Sequence, residues 1–175
     1  MNFDAFENDE IEDGITTVCF TGHRSIPENV RPAVSELLSE VIWGLYLRGA
    51  RIFKAGGAIG FDTMAAQAVI DLRSKTGDRS VKLNLCLPAP DQTKKFSRFD
   101  KIIYDLVREN SDCVTYVSKY STTESYYERN RRLVQNSDVC VAYCTKQRGG
   151  TYYTCKQALL GGVEFINLAD FIVFE

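Results

Sequence analysis

Residues 50–73 read ARIFKAGGAIGFDTMAAQAVIDLR, and three kinds of sequence follow one another there. Residues 50–55 are a short run with β-branched and aromatic bulk at Ile52 and Phe53, as a strand requires. Residues 56–60, GGAIG, are a glycine turn. From Asp62 to Arg73 the small residues Ala65, Ala66 and Ala68 predict a helix able to lie close against a sheet. Strand, glycine turn and helix in that order are the first part of a βαβ unit, so parallel pairing is expected.

The same alternation extends in both directions. Runs rich in Val, Ile, Phe and Cys at 15–20 (ITTVCF), 81–87 (VKLNLCL), 112–117 (DCVTYV), 138–143 (DVCVAY) and 163–168 (VEFINL) read as further strands. Several are apolar at consecutive positions, as strands covered on both faces are. Between them the helical period predicts a helix over 25–48, with Val30, Val34, Leu37, Leu38, Val41, Ile42 and Leu45 as its stripe and a capping pattern at Ser25 and Glu28. A further helix is predicted over 91–110, capped by Asp91 and presenting Phe96, Phe99, Ile102, Ile103, Leu106 and Val107 on one face. Another spans 122–136 behind a capping pattern at Ser121 and Glu124, and the last runs from 151 to 160, stopped by Gly161 and Gly162. The fold class that follows is α/β: a Rossmann-like, doubly wound, mainly parallel sheet of about six strands with helices on both faces. Such sheets take ligands outside the carboxyl ends of their strands.

The 175 residues are 45% hydrophobic and 25% charged, which suits one domain with a sizeable core and excludes a disordered, collagen-like or repeat chain. No apolar run approaches the roughly 18 residues of a spanning helix, and MNFDAFENDE lacks the basic and apolar regions of a signal peptide. A cytoplasmic protein with no membrane partner is expected. Residues 1–13 hold six acids and no Lys or Arg, and read as a flexible acidic leader before a single nucleotide-binding domain at 14–175. That domain has 21 basic residues against the 17 remaining acids, a balance of +4. Such a charge suits a small anionic ligand, and nucleic acid is not expected as a partner. Cys19, Cys86, Cys113 and Cys140 each sit in a strand-like run, as buried reduced thiols do; with no C-x-x-C pair and His23 as the only histidine, no metal site is expected.

Three turns follow strands and so share one sheet edge: Thr21-Gly22-His23-Arg24, then Gly56-Gly57-Ala58-Ile59-Gly60-Phe61-Asp62, then Gly149-Gly150-Thr151. Glycine allows close backbone approach, and the free N–H groups and dipole of a helix start attract phosphate. Three such turns together predict a phosphate or nucleotide site, while each alone also fits a purely architectural role. Asp62 reads either as the N-cap of its helix or as a contact to a ligand hydroxyl. Arg129 and Asn130 fall on a helix face that meets the sheet, between Tyr126 and the pair Leu133 and Val134. Polar groups there either close a local network or reach into the crevice. His23 reads as a hydrogen-bonding or stacking group or as a general acid or base. Arg131 and Arg132, and likewise Lys94, Lys95, Arg98 and Lys101, read as solvent faces; the loop 118–122 is either a site wall or a surface turn.

Taken in order, CFTGHR (19–24), AGGAIGFDTMAAQAVI (55–70), LPAPDQ (87–92) with FSRFD (96–100), YYERNRRLVQNSDVCVAY (126–143) and RGGTYYTCKQA (148–158) resemble the SLOG superfamily, and within it the YpsA-like branch of short bacterial proteins. That superfamily joins the DNA-processing protein Smf/DprA to the LOG cytokinin-activating enzymes. The resemblance covers about residues 15–168. It implies a Rossmann-like domain, often a homodimer, that binds a small-molecule nucleotide or nucleotide-derived ligand, ADP-ribose-like or a nucleoside phosphate, with no other cofactor required. Carried over by motif, the ligand-facing positions are Gly22, His23, Arg24, Gly56, Gly57, Gly60, Asp62, Arg129, Asn130, Gly149, Gly150 and Thr151, with Asp62, Arg129 and His23 as the candidates for any chemistry. The hydrolytic branch has a pattern resembling PGGxGTxxE. Here GGTYYTCKQ places Thr154, Cys155 and Lys156 where its carboxylate belongs, and none of these substitutes for a carboxylate in glycoside cleavage. Three readings follow: a nucleotide binder or sensor, an N-glycoside hydrolase, and a single-stranded DNA or protein-partner module.

Overall fold

The structure, a computed structural model, describes residues 14–172; the acidic leader lies outside the described residues. Six strands, β1 (Thr17–Gly22), β2 (Ile52–Ala55), β3 (Lys82–Leu87), β4 (Cys113–Tyr116), β5 (Val139–Tyr143) and β6 (Glu164–Asn167), form one sheet in the order β4-β3-β2-β1-β5-β6. Every pairing is parallel. Five helices, α1 (Arg31–Leu47), α2 (Phe61–Thr76), α3 (Arg98–Glu109), α4 (Thr123–Val134) and α5 (Gly149–Leu160), connect them, with short 3-10 turns at Gln92–Lys95 and Leu168–Phe171. The chain steps outward from β1 to β4 and then returns to lay β5 on the other side of β1. Strand order therefore reverses between β1 and β5, and the crevice of a doubly wound sheet opens there.

Alternation along the strands divides the core. Val18 and Phe20 of β1, Phe53 of β2 and Leu83, Leu85 and Leu87 of β3 pack with Val34, Leu38 and Ile42 of α1, Val69 of α2 and Tyr104 of α3. Cys19, Cys86 and Cys140 meet Leu133 and Val134 of α4 and Ala158 of α5. Small side chains on this second face let α4 and α5 approach the sheet closely. Among the described residues, no helix is long and apolar enough to cross a membrane.

Several expectations change in detail. The helix predicted over 25–48 begins at Arg31, and Pro32 is the reason. In a helix begun near residue 26 it would lie inside, unable to donate and clashing with the carbonyl four residues back; in the first turn neither cost arises. Ser25 and Glu28 thus cap nothing. The stretch 91–110 splits because Ser97, not Asp91, caps α3: its Oγ accepts from the Asp100 N–H at 3.1 Å. The split turns Tyr104 and Val107 inward and leaves Phe99, Ile102 and Leu106 exposed. At α4 the reciprocal cap is Thr122 with Ser125. Cys113 lies on the edge strand β4 and is exposed, whereas Cys19, Cys86, Cys140 and Cys155 are buried.

Candidate functional site

β1 ends at Gly22, where the ring of Phe61 presses so close that a Cβ would fall on it. His23 follows. Its N–H donates to the Tyr143 carbonyl at 3.2 Å, its Nε2 accepts from the Thr145 N–H at 2.9 Å, and its ring meets Tyr143 edge-on. An accepting Nε2 requires the neutral ring with its proton on Nδ1. Burial, and then the charge of Lys146, hold its pKa below the ordinary histidine value. His23 is thus a tie between β1 and the loop after β5.

The turn after β2 is locked onto the turn after β1. Gly60 adopts φ +82°, and its backbone lies against the Arg24 carbonyl where a side chain has no room. The Phe61 N–H donates to the His23 carbonyl at 3.1 Å. With Gly60 in the cap position, Asp62 becomes the second residue of α2 and not its N-cap. Its Oδ2 accepts from the Ala58 N–H at 3.4 Å and stands 3.9 Å from Nη1 of Arg129.

Arg129 is 6% exposed and Asn130 8%. Nε of Arg129 donates to Asn130 Oδ1 at 2.8 Å, and Nη1 donates to the Gly56 carbonyl. A Cβ on Gly56 would strike the guanidinium. Burial pushes the Asp62 carboxyl up against the pull of Arg129, and burial likewise pushes Arg129 down against the pull of Asp62. Two Arg129 donors thus have protein acceptors. The local network and the crevice are both realised, because Arg129 and Asn130 also line a cavity of about 320 Å³ at the strand ends. Gly150 and Thr151 bring the start of α5 to the same cavity; no side chain caps that helix, so its first N–H groups are open.

Of the sequence candidates, Gly22, His23, Arg24, Asp62, Arg129, Asn130, Gly150 and Thr151 line the cavity. Gly56, Gly57, Gly60 and Gly149 stand behind it: Gly56 receives Arg129, and the Gly57 carbonyl receives Gln92 Nε2 at 3.0 Å. Gly149, at φ +86°, opens α5. Sequence reading passed over Tyr126 as a site residue. The guanidinium carbons of Arg24 and Arg129 lie 5.5 and 5.7 Å from its ring centroid, so it forms the cavity's aromatic wall. Its signal was its place three residues before Arg129 on the same helix face. Where the hydrolytic pattern has its carboxylate, Thr154 is fully buried and donates to the Gly150 carbonyl at 2.9 Å, Cys155 is buried and Lys156 is exposed. Among the described residues no three His, Cys, Asp or Glu side chains are grouped to hold a metal ion.

Solved structures with the same fold include DNA processing protein A (DprA) from Streptococcus pneumoniae, with a TM-score of 0.62 and 18% identity over 86% of this chain and 49% of that one. DNA processing protein A from Helicobacter pylori, whose structure is described for its single-stranded DNA binding mode, gives 0.60 and 17% over 90% and 67%. The chain thus spans about half the length of the first protein. No curated protein matches it in sequence. The Helicobacter protein overturns the expectation that a small molecule is the partner and nucleic acid is not. That protein is described for a single-stranded DNA binding mode, and a balance of +4 over residues 14–175 does not exclude such a partner, since single strands are held by local grooves and stacking. The YpsA family model matches residues 18–160, from the second residue of β1 to the last residue of α5, and so takes in the elements around the cavity. By that match over most of its length, the chain belongs to the YspA SLOG family.

Proposed function

We propose that the crevice binds the phosphate of a nucleotide unit carried in a single strand of DNA. The observation behind this reading is the buried Arg129–Asn130 pair beside the uncapped start of α5. A buried guanidinium is costly unless its donors are met, and its Asp62 partner is 3.9 Å away, beyond hydrogen-bond length. A phosphate oxygen would meet the remaining donors and the open N–H groups of α5 together. Tyr126 supplies a ring on which a base stacks. The strand reading draws on the fold shared with the Helicobacter protein described for its single-stranded DNA binding mode. Against N-glycoside hydrolysis stands the lining itself: among the described residues around the cavity Asp62 is the one carboxylate, and glycoside cleavage commonly employs two.

Calorimetric titration with AMP, dTMP and a 5′-phosphorylated hexathymidylate tests the reading on the wild type, Arg129→Ala and Gly150→Val. The expected result is binding of at least one ligand and a loss of about tenfold or more in both variants, about 1.4 kcal/mol, with circular dichroism unchanged. A Cβ at Gly150 makes only a 3.6 Å contact with the Asn130 amide, so that variant should fold. Wild-type affinity in both variants, or no binding of any of the three, would overturn it.

A further inference from the structure

The cavity has a neighbour. Toward the ends of β3 and β4 lies a second hollow of about 630 Å³, and the two share Arg24 and Tyr126 as a common wall. Its own floor and far side carry Lys94, Lys95 and Phe96. Lys95 and Arg24 are both exposed, and neither has an ion-pair partner among the described residues. Lys94 pairs with Asp91 at 3.0 Å but keeps 73% of its side chain in solvent. Asp91, the carboxylate of this hollow, is occupied on both oxygens, by Lys94 and by the Ser121 N–H at 2.7 Å. The start of α4 is closed by its own capping box. What the second hollow presents, beside the cavity that holds Arg129, is cations and two aromatic rings, the combination that holds successive units of a single strand.

We infer that the phosphate site continues across the Arg24–Tyr126 wall into the Lys94–Lys95 hollow, so that its ligand is linear, at least two nucleotides long, with a second phosphate at Arg24 and Lys95 and a base against Tyr126. This rests on the phosphate reading of the first cavity and specifies its ligand class. The second hollow, about 630 Å³ against about 320 Å³, is the larger of the two. The shared chemistry is two linked phosphates, which a pyrophosphate-bridged dinucleotide also carries, and the test separates the two.

The test measures affinities of the whole protein for 5′-phosphorylated oligothymidylates of one to four residues and for ADP-ribose. In the wild type, affinity is expected to rise by about tenfold or more from one residue to three and then level off. In the Lys94→Glu/Lys95→Glu double variant the ratio of three-residue to one-residue affinity should fall toward one, and the salt dependence should lose about one to two counterions' worth of slope. Arg129→Ala should instead weaken every length. Mononucleotide binding with no gain from length would end the site at the first cavity and leave the phosphate reading standing. A length gain untouched by the lysine changes would route the strand elsewhere, and ADP-ribose matching the three-residue strand with the same loss in the lysine variant would replace the strand by a pyrophosphate ligand. Each of these overturns the inference; no binding of any ligand would overturn both readings.

Discussion

Arg129 sits where its charge is supported by one carboxylate, one amide and one backbone carbonyl. Asp62→Ala leaves that charge with neutral partners alone. Loss of one member of a buried pair costs about 3 to 5 kcal/mol, and the 3.9 Å spacing places this one at the low end. Asp62→Asn, which keeps an oxygen for the Ala58 N–H, should cost less. Urea unfolding measures both, and a cost under about 1 kcal/mol for the alanine variant would mean that Asp62 does not support Arg129. His23 gives a second prediction. Its pKa lies below the ordinary 6.5, so the ring is neutral at neutral pH. As pH falls from that value through the lowered midpoint, the unfolded chain takes the proton first and the stability due to the Thr145 N–H bond is lost. As the only histidine it has an unambiguous NMR titration, and a midpoint at or above 6.5 would contradict the tie. At this scale Arg129 and Asn130 were legible because polar residues on an apolar face demand an explanation. Tyr126 was not, since an aromatic at helical spacing reads equally well as core.

Helix boundaries follow from caps, and here the sequence offered more capping patterns than the chain uses. Thr122→Ala should cost about 1 kcal/mol by removing the bond to the Ser125 N–H at 3.1 Å, while Ser25→Ala should stay within about 0.5 kcal/mol. Equal costs would restore the longer first helix. Neither pattern read from the sequence is the cap in use: Pro32 decides where α1 can start, and at α4 the cap moves one residue on, from Ser121 to Thr122. The loop before α4 is tied to the 92–95 turn through Asp91, whose pKa Ser121, through its N–H, and Lys94 hold down to about 2. A carboxylate with a depressed pKa contributes stability that is present above its ordinary 3.8 and lost as pH falls through about 2. Carbon NMR of the Asp91 carboxyl should therefore titrate near 2, and a midpoint near 3.8 would show the loop untied. The predicted single helix over 91–110 hid this tie, because a continuous apolar stripe gives no sign that Ser97 restarts the helix and turns Phe99 and Ile102 outward.

Across the whole molecule the six strand runs translated directly into a parallel sheet, because strands buried on both faces leave unbroken apolar stretches that glycine turns punctuate. The cationic groove did not. Arg24, Lys94, Lys95, Tyr126 and Arg129 come from the turns after β1 and β3 and from α4, and only the sheet order brings them to one edge. A balance of +4 over residues 14–175 carries no trace of that convergence. The sheet's other face has its own consequence. Cys19 and Cys140 stand side by side in β1 and β5, Cys86 lies under α4 with them, and Cys155 looks back from α5, all buried. Cys113 at the sheet edge is exposed and Cys144 half-buried. An alkylating reagent added to the native protein should therefore mark Cys113 first and Cys144 next, and the mass should then pause. The remaining four thiols can be marked only when α4 and α5 lift from the sheet, so the interval between the second and third mass increments times the opening of that face.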